Sequence, residues 1–498
     1  MATRRIKIIG GGLAGPEAAL QAAKRGCQVD LFEMRPTRST EPHQTADFAE
    51  LVCSNSLKSE SENTAPWLLK QEMRRAGSIL LAEADATAVP AGHALAVDRV
   101  EFSKRVAARI EAYTTGPNPR ITIHREEVTT LNEDDPQFPD QATITILASG
   151  PLTSPALAAE LQRLTGSHHL AFYDSISPIV DASTIDMSKV YFAARYDKGT
   201  ADYINCPFTR EEYDRFLEAL TTAEAVPAKS WEQIPTVASH LLSSRSEAEG
   251  SASPTNNLQP ATTNPPLQYF EGCLPIEETA RRGRDTLRFG PMKPVGLTDP
   301  KTGRWPYAVV QLRQENLRAD SYNLVGFQNH LKFGEQQRVL RLIPGLENAT
   351  FLRYGQIHRN TYIHAPSLLT ETLQLKAHPG IMIAGQLSGV EGYTESIASG
   401  MLAGIYAAAL AHGRTPQPAP RLSANGSLTH YITHCDTKKF QPANITFDLL
   451  PPLEEDLRKK IRDKKERHRI QCDRALAAWN DWLQGCADNL QGLSTRLH

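Results

Sequence analysis

Cysteine is scarce in this 498-residue chain. There are seven, Cys27, Cys53, Cys206, Cys273, Cys435, Cys472 and Cys486, with no C-x-x-C pair among them. An odd, widely spaced set suggests neither a disulfide framework nor a zinc site, so no metal is expected and a reducing cytoplasm is the expected compartment. Long apolar runs are missing too. The most apolar helix candidate, Ile397 to Leu410, is rich in Ala and Gly and shorter than a bilayer requires, so no membrane span is expected. Arg4, Arg5 and Lys7 stand around the start of an apolar run, but Gly10-Gly11-Gly12 cuts it at once and no small-residue cleavage site follows. Nor is there an excess of one charge. The formal net charge is −2, so any nucleic-acid partner has to be argued from local clusters.

What is present is globular. A hydrophobic share of 40% and a charged share of 22% exclude wholesale disorder, and the length calls for two or three domains. The strongest local signal opens the chain. A strand at Ile6–Ile9 leads into Gly10-Gly11-Gly12-Leu13-Ala14-Gly15, a helix is expected from about Pro16 to Arg25, Gly26 ends it, and a second strand follows at Gln28–Glu33. With Ala19 the pattern extends to G-x-G-x-x-G-x3-A-x6-G. Gly10 permits the tight turn, Gly12 lets backbone approach a pyrophosphate, and Gly15 and Ala19 let helix and strand pack closely. The pyrophosphate sits at the helix N-terminus, and Glu33 stands where a carboxylate binds ribose hydroxyls.

A second glycine segment, Gly385 to Ser396, sits at another strand-to-helix junction, between a strand at Ile381–Ala384 and a helix from about Thr394. A helix starting there aims its dipole at a further electron-rich group, which favours FAD over NAD as the nucleotide. Gly385, Gly392 and Thr394 therefore join Gly10, Gly11, Gly12, Leu13, Ala14, Gly15 and Glu33 as candidate cofactor residues. Strands are also expected at Arg120–Val128 and Ala142–Leu147. The 243–266 stretch turns to Ser, Pro, Asn, Thr and Glu and reads as a flexible surface loop. Near the end, Arg458 to Arg469 reads as a basic helix, with eight Arg or Lys against Asp463 and Glu466. It could grip a nucleic-acid backbone or be a solvated face.

Several longer segments resemble the folate- and FAD-dependent tRNA (uracil-5-)-methyltransferases, the TrmFO family. They include Phe32 to Pro36, Leu51 to Ser59 around Cys53, Ala96 to Arg99, Phe270 to Glu278 around Cys273, Leu287 to Gly296, His358 to Thr361, Gly385 to Ser396 and Lys464 to Arg467. The 243–266 stretch departs from the family, which has a short charged helix there. The resemblance implies an α/β protein with a Rossmann-type, glutathione-reductase-like FAD-binding domain and an inserted α+β domain. The expected division is 1–165 with 326–435 for the first, 166–325 for the second, and a basic helical tail at 436–498. It implies that 5,10-methylenetetrahydrofolate gives a one-carbon unit to C5 of the T-loop uridine at tRNA position 54, that reduced FAD supplies electrons, and that NAD(P)H restores it. Cys273 matches the family's C6 nucleophile and Cys53 its base beside the flavin.

The residues fit that chemistry. C5 of uracil becomes enolate-like once a thiolate adds at C6, and a base must later take the C5 proton. Arg281, Arg282, Arg284, Arg288 and Lys293 follow Cys273, with Asp285 opposing them. Such cations favour a thiolate and attract phosphates. Taken alone, either cysteine would read as a small buried hydrophobe, and Cys27 and Cys206 keep that reading. His168 and His169 read as loop residues, and His358-Arg359-Asn360 as a folate or flavin contact. Three alternatives stay open: a related FAD-dependent protein that modifies wobble uridines in tRNA, a flavin oxidoreductase acting on a small molecule or disulfide, and a non-catalytic RNA-binding flavoprotein.

Overall fold

A computed structural model describes residues 4–40, 42–115, 117–131, 143–166, 170–197, 200–226, 274–437 and 440–491. The 243–266 stretch, His168, His169 and Cys273 lie outside the described residues.

The first strand, Ile6–Ile9, and the second, Val29–Phe32, are mostly apolar and buried, with Lys7 and Asp30 the polar exceptions, as befits a parallel sheet covered on both faces. They form the middle of a five-stranded sheet in the order Ile381–Ile383, Ile144–Leu147, Ile6–Ile9, Val29–Phe32, Ile121–His124, parallel throughout. The expected strands thus stand: Ile6–Ile9 keeps its bounds, and the other four are shorter than expected at one or both ends. Arg125 leaves the sheet because its guanidinium donates to the carbonyls of Arg35 and Ala46.

The helix after the first strand runs Ala14–Lys24, two residues earlier than expected, is rich in Ala, and is buried from Ala14 to Ala23. Along it lies the helix Tyr393–Ala411. A Cβ on Gly400 would stand 2.3 Å from the Ala14 carbonyl oxygen, and one on Gly404 would stand 2.6 Å from that of Ala18. Only glycine allows these backbones to touch.

The second unit is a six-stranded antiparallel sheet in the order Tyr191–Ala193, Tyr203–Phe208, Ala308–Gln314, Ser321–Leu324, Ile179–Asp181, Phe351–Arg353. The helix Arg210–Thr222 covers it, started by a reciprocal Thr209–Glu212 capping box. This is the expected inserted α+β unit, but it ends later than expected. Phe327, Leu331, Val339, Leu340, Ile343, Leu346 and Ala349 pack in its core, and the chain returns to the first unit only through Ile357–Tyr362. The expected return at 326 followed local sequence, whereas pairing of Phe351–Arg353 with Ile179–Asp181 is set by partners about 170 residues upstream.

The tail corrects a second expectation. In place of one basic helix there are two, Glu455–Lys460 and Lys464–Gln491, because Asp463 accepts from the Lys465 N–H at 3.0 Å and starts a new helix. The second helix docks on the first unit: Trp479 is fully buried, stacks on Trp482 and donates from Nε1 to the Glu72 carbonyl at 2.7 Å. No described helix is long and apolar enough to cross a membrane.

Candidate nucleotide site and its cysteine

Helix N-termini leave N–H groups without intrahelical partners. In the Ala14–Lys24 helix no side chain caps them, and in the Tyr393–Ala411 helix none does either. Both starts open onto one cavity of about 350 Å³. Gly10 to Ala14 and Glu33 to Arg35 line one part of it, and Gly385, Gln386, Glu391, Gly392, Tyr393 and Ser396 line another.

The glycines divide their work much as their spacing suggests. Gly10, at φ +118°, lies so close to Ala148 that a Cβ would stand 2.3 Å from its carbonyl oxygen. A Cβ on Gly15 would stand 1.8 Å from the Gly10 oxygen. A Cβ on Gly12, by contrast, meets nothing within 4 Å and points into open space. That opening, at an uncapped helix start, fits a pyrophosphate. Gly15 therefore serves packing and does not line the cavity; Gly10, Gly11, Gly12, Leu13 and Ala14 do.

Glu33 is buried, with Oε2 accepting from the Gly11 N–H at 2.7 Å and Oε1 from the Arg35 Nε at 2.8 Å. Burial raises its pKa, but the Arg35 guanidinium and the N–H donors outweigh that and hold the carboxyl below its ordinary range. An ionised carboxylate at the end of the second strand is what a ribose diol needs. At the other end, Gly385 and Gly392 line the cavity, while Thr394 is fully buried and its hydroxyl donates to the Leu57 carbonyl at 3.0 Å.

Cys53 lies on the cavity wall, in a loop held from both units. The Tyr393 hydroxyl accepts from the N–H of Cys53 at 2.7 Å and of Ser54 at 3.2 Å. Arg99 donates to the Leu51 carbonyl at 2.7 Å and pairs with Glu315. Arg313 donates to the Ser54 hydroxyl, and the buried Asn55 amide donates to the carbonyls of Val97 and Gln314. Arg99 and Arg353 are close enough to interact electrostatically with Cys53. Burial raises the Tyr393 hydroxyl well above its ordinary range, so it stays neutral and able to accept.

Sequence reasoning placed Cys53 but missed Tyr393, Arg99 and Arg313. Tyr393 and Arg99 stood in the family-like segments without a role, and Arg313 carries no local signal, since its partner is 259 residues away. Cys27 and Cys206 are fully buried, and burial pushes the Cys27 thiol up to about 11, as suits inert packing. The cationic run after Cys273 is more balanced than its sequence suggests. Arg281 pairs with Glu278, Arg284 with Asp214 and Arg288 with Asp285, and the Arg288 guanidinium lies 3.7 Å over the Tyr307 ring. Asp214 arrives from a distant helix, which no local charge count registers. Of the His358-Arg359-Asn360 candidate, the side chains of His358 and Arg359 lie outside what the structure describes, and Asn360 is buried.

With this geometry in place, the comparisons with known proteins are specific. The family model described as glucose inhibited division protein A matches residues 5–249 and 251–415. The methylenetetrahydrofolate–tRNA-(uracil-5-)-methyltransferase TrmFO of Koribacter versatilis is 63% identical over 479 residues, covering 96% of this chain and 98% of that one. Its counterpart in Solibacter usitatus is 58% identical over 484 residues, covering 96% and 99%. Among solved structures, Aquifex aeolicus GidA in its form II crystal superposes with a TM-score of 0.63 at 16% identity, over 98% of this chain and 74% of that one, a likeness of fold. Matched over nearly its whole length at such identity, the chain belongs to the TrmFO family, on a GidA-type Rossmann α/β fold.

Proposed function

We propose that the chain methylates C5 of the uridine at position 54 in the tRNA T-loop, working in the cytoplasm. In this reading 5,10-methylenetetrahydrofolate is the one-carbon donor, FAD the resident cofactor and NAD(P)H the source of its electrons. The observation that supports it most is the pair of uncapped helix starts opening onto one cavity with Cys53 on its wall. An elongated dinucleotide suits such a site. Gly10 to Ala14 and Glu33 would hold its adenosine and pyrophosphate, and Gly385, Gly392 and the start of the Tyr393–Ala411 helix would hold the flavin edge. When bound, FAD supplies the electrons that turn a methylene into a methyl.

The remaining work falls to the chain. The Cys273 thiolate adds to C6 of the uracil and makes C5 nucleophilic. Cys53, anchored through its N–H to Tyr393, takes the proton from C5. Mass analysis of nucleosides after incubation with unmodified tRNA tests the donor. Label from methylenetetrahydrofolate is expected in 5-methyluridine at position 54, and label from S-adenosylmethionine is not. The opposite labelling pattern overturns the reading.

The tail would hold the tRNA backbone. Arg458, Lys460, Arg462, Lys464, Lys465 and Arg467 make no ion pair among the described residues. They also connect to the cavity rim. Phe447 stacks on His468 at 3.8 Å, and the chain just before Phe447 is fastened to the second glycine segment, with the Glu391 N–H donating to the Ala443 carbonyl at 2.8 Å and the Ile445 N–H to Glu395 at 3.1 Å. Replacing Lys464, Lys465 and Arg467 with Gln should raise KM for tRNA and leave kcat unchanged. In binding titrations at several salt concentrations, the slope of log affinity against log salt should flatten by about 1 for each phosphate that is no longer neutralised. An unchanged slope would assign these cations to a solvated face.

A further inference from the structure

None of Glu371, His430 and His434 lines the cavity, and the proposed activity uses none of them. His430 and His434 lie one turn apart at the end of the helix Ala424–His434, so both face the same way. Glu371 comes from the turn closed by Leu369 and Leu375. Its Oε1 lies 2.9 Å from the His430 Nδ1 and 3.6 Å from the His434 Nδ1, and one donor atom from each residue lies within 4.8 Å of the others. A tetrahedral ion with bonds of about 2.0–2.2 Å holds its ligand atoms about 3.3–3.6 Å apart, so the 3.6 Å separation matches that edge and the 2.9 Å one has to open by only a few tenths of an ångström.

The setting favours a cation. The carbonyl end of the helix carries partial negative charge, and Glu371 adds a full one. Arg421 interacts electrostatically with Glu371 but is engaged elsewhere, donating to the Ser427 hydroxyl at 2.7 Å. His434 Nδ1 is also 2.9 Å from the Thr433 hydroxyl. The two rings stack with centroids 4.4 Å apart and planes 10° from parallel. Converging on one ion asks for a modest side-chain rotation, and both rings, 37% and 51% exposed, have room for it.

We infer that Glu371, His430 and His434 bind one divalent ion of the zinc class. Two imidazole nitrogens and one carboxylate oxygen suit Zn²⁺, Co²⁺, Ni²⁺ or Cu²⁺ and do not suit Mg²⁺ or Ca²⁺, which take oxygen ligands. Exposure leaves the fourth position to water. The ion clips the 369–375 turn to the helix end. Gln374 in that turn bridges to Met382 in the strand that runs into Gly385, so the clip braces the approach to the second glycine segment.

The test uses the full chain stripped with a chelator and then dialysed against Zn²⁺ alone. One equivalent should bind, and Zn²⁺ should raise the Tm. His430→Ala, His434→Ala and Glu371→Gln should each weaken binding by at least the 10–100-fold that loss of an outer-shell partner causes, and should abolish the Tm rise. Cys435→Ser, next to the cluster, should bind normally. Melting in chelator shows whether each variant is folded. If one is not, the Co²⁺-loaded wild type decides: a spectrum without a thiolate charge-transfer band supports the cluster, and one with it overturns the assignment. Failure to bind one equivalent, or binding that survives all three substitutions, also overturns it. None of these readouts depends on tRNA, folate or FAD.

Discussion

Gly12→Asp should fold normally and purify colourless. The position tolerates a side chain, because a Cβ there meets nothing within 4 Å. What it would not tolerate is the pyrophosphate beside a new carboxylate. Two like charges about 4 Å apart at an effective dielectric near 20 repel by about 4 kcal/mol, roughly a 10³-fold loss of affinity. The neighbour three residues on should behave in the opposite way. Gly15→Ala puts a Cβ 1.8 Å from the Gly10 oxygen and should fail at the level of folding. Circular dichroism reads the fold, and chromatography of the denatured protein reads FAD. A yellow Gly12→Asp protein with stoichiometric FAD would remove the pyrophosphate from this helix start.

The second large effect separates the two cysteines. With RNA containing 5-fluorouridine, addition at C6 is trapped, because fluorine at C5 cannot leave as a proton does. Cys273→Ala should lose both methyl transfer and the trapped adduct. Cys53→Ala should lose methyl transfer by on the order of 10²–10⁴, the usual cost of a missing general base, and keep the adduct. Tyr393 holds the Cys53 loop through backbone N–H groups, which alanine retains, so a loss in Cys53→Ala reports the thiol and not a displaced loop. An adduct in Cys273→Ala together with none in Cys53→Ala would exchange the two roles.

Much of the nucleotide site was legible because it is local. A strand, a glycine turn, a helix and a second strand follow one another from Ile6 to Phe32, and each small residue has a spacing that sequence displays. The second glycine segment was legible for the same reason. What escaped depends on groups far apart in the chain. The Tyr393 hydroxyl reaches the Cys53 loop from 340 residues away, and Arg99 meets Glu315 from 216 away. The Asp214–Arg284 pair, which tempers the cationic run, spans 70. Cysteine spacing carries no information about a cluster built on His430 and His434. Their i, i+4 spacing was visible, but Glu371 becomes their neighbour only after folding. The misplaced return at 326 has the same origin: the strand Phe351–Arg353 takes its place from its pairing partner, not from its own residues.

The close approach of Gly400 and Gly404 to the backbone of the first helix bears on how the chain is made. The nucleotide domain cannot close its core until the Tyr393–Ala411 helix has left the ribosome, although its first strand and helix emerge at the outset. At about 5–20 residues per second, the interval from Lys24 to Ala411 lasts roughly 20–80 s. Throughout it, an Ala-rich helix with no partner for its buried face and the central strand of an unfinished parallel sheet are left waiting. Such delayed, non-local closure is slow and exposes strand edges to other chains. Newly made protein should therefore be most vulnerable to aggregation and proteolysis before residue 411 is complete, and truncations ending upstream of Gly400 should accumulate as insoluble material.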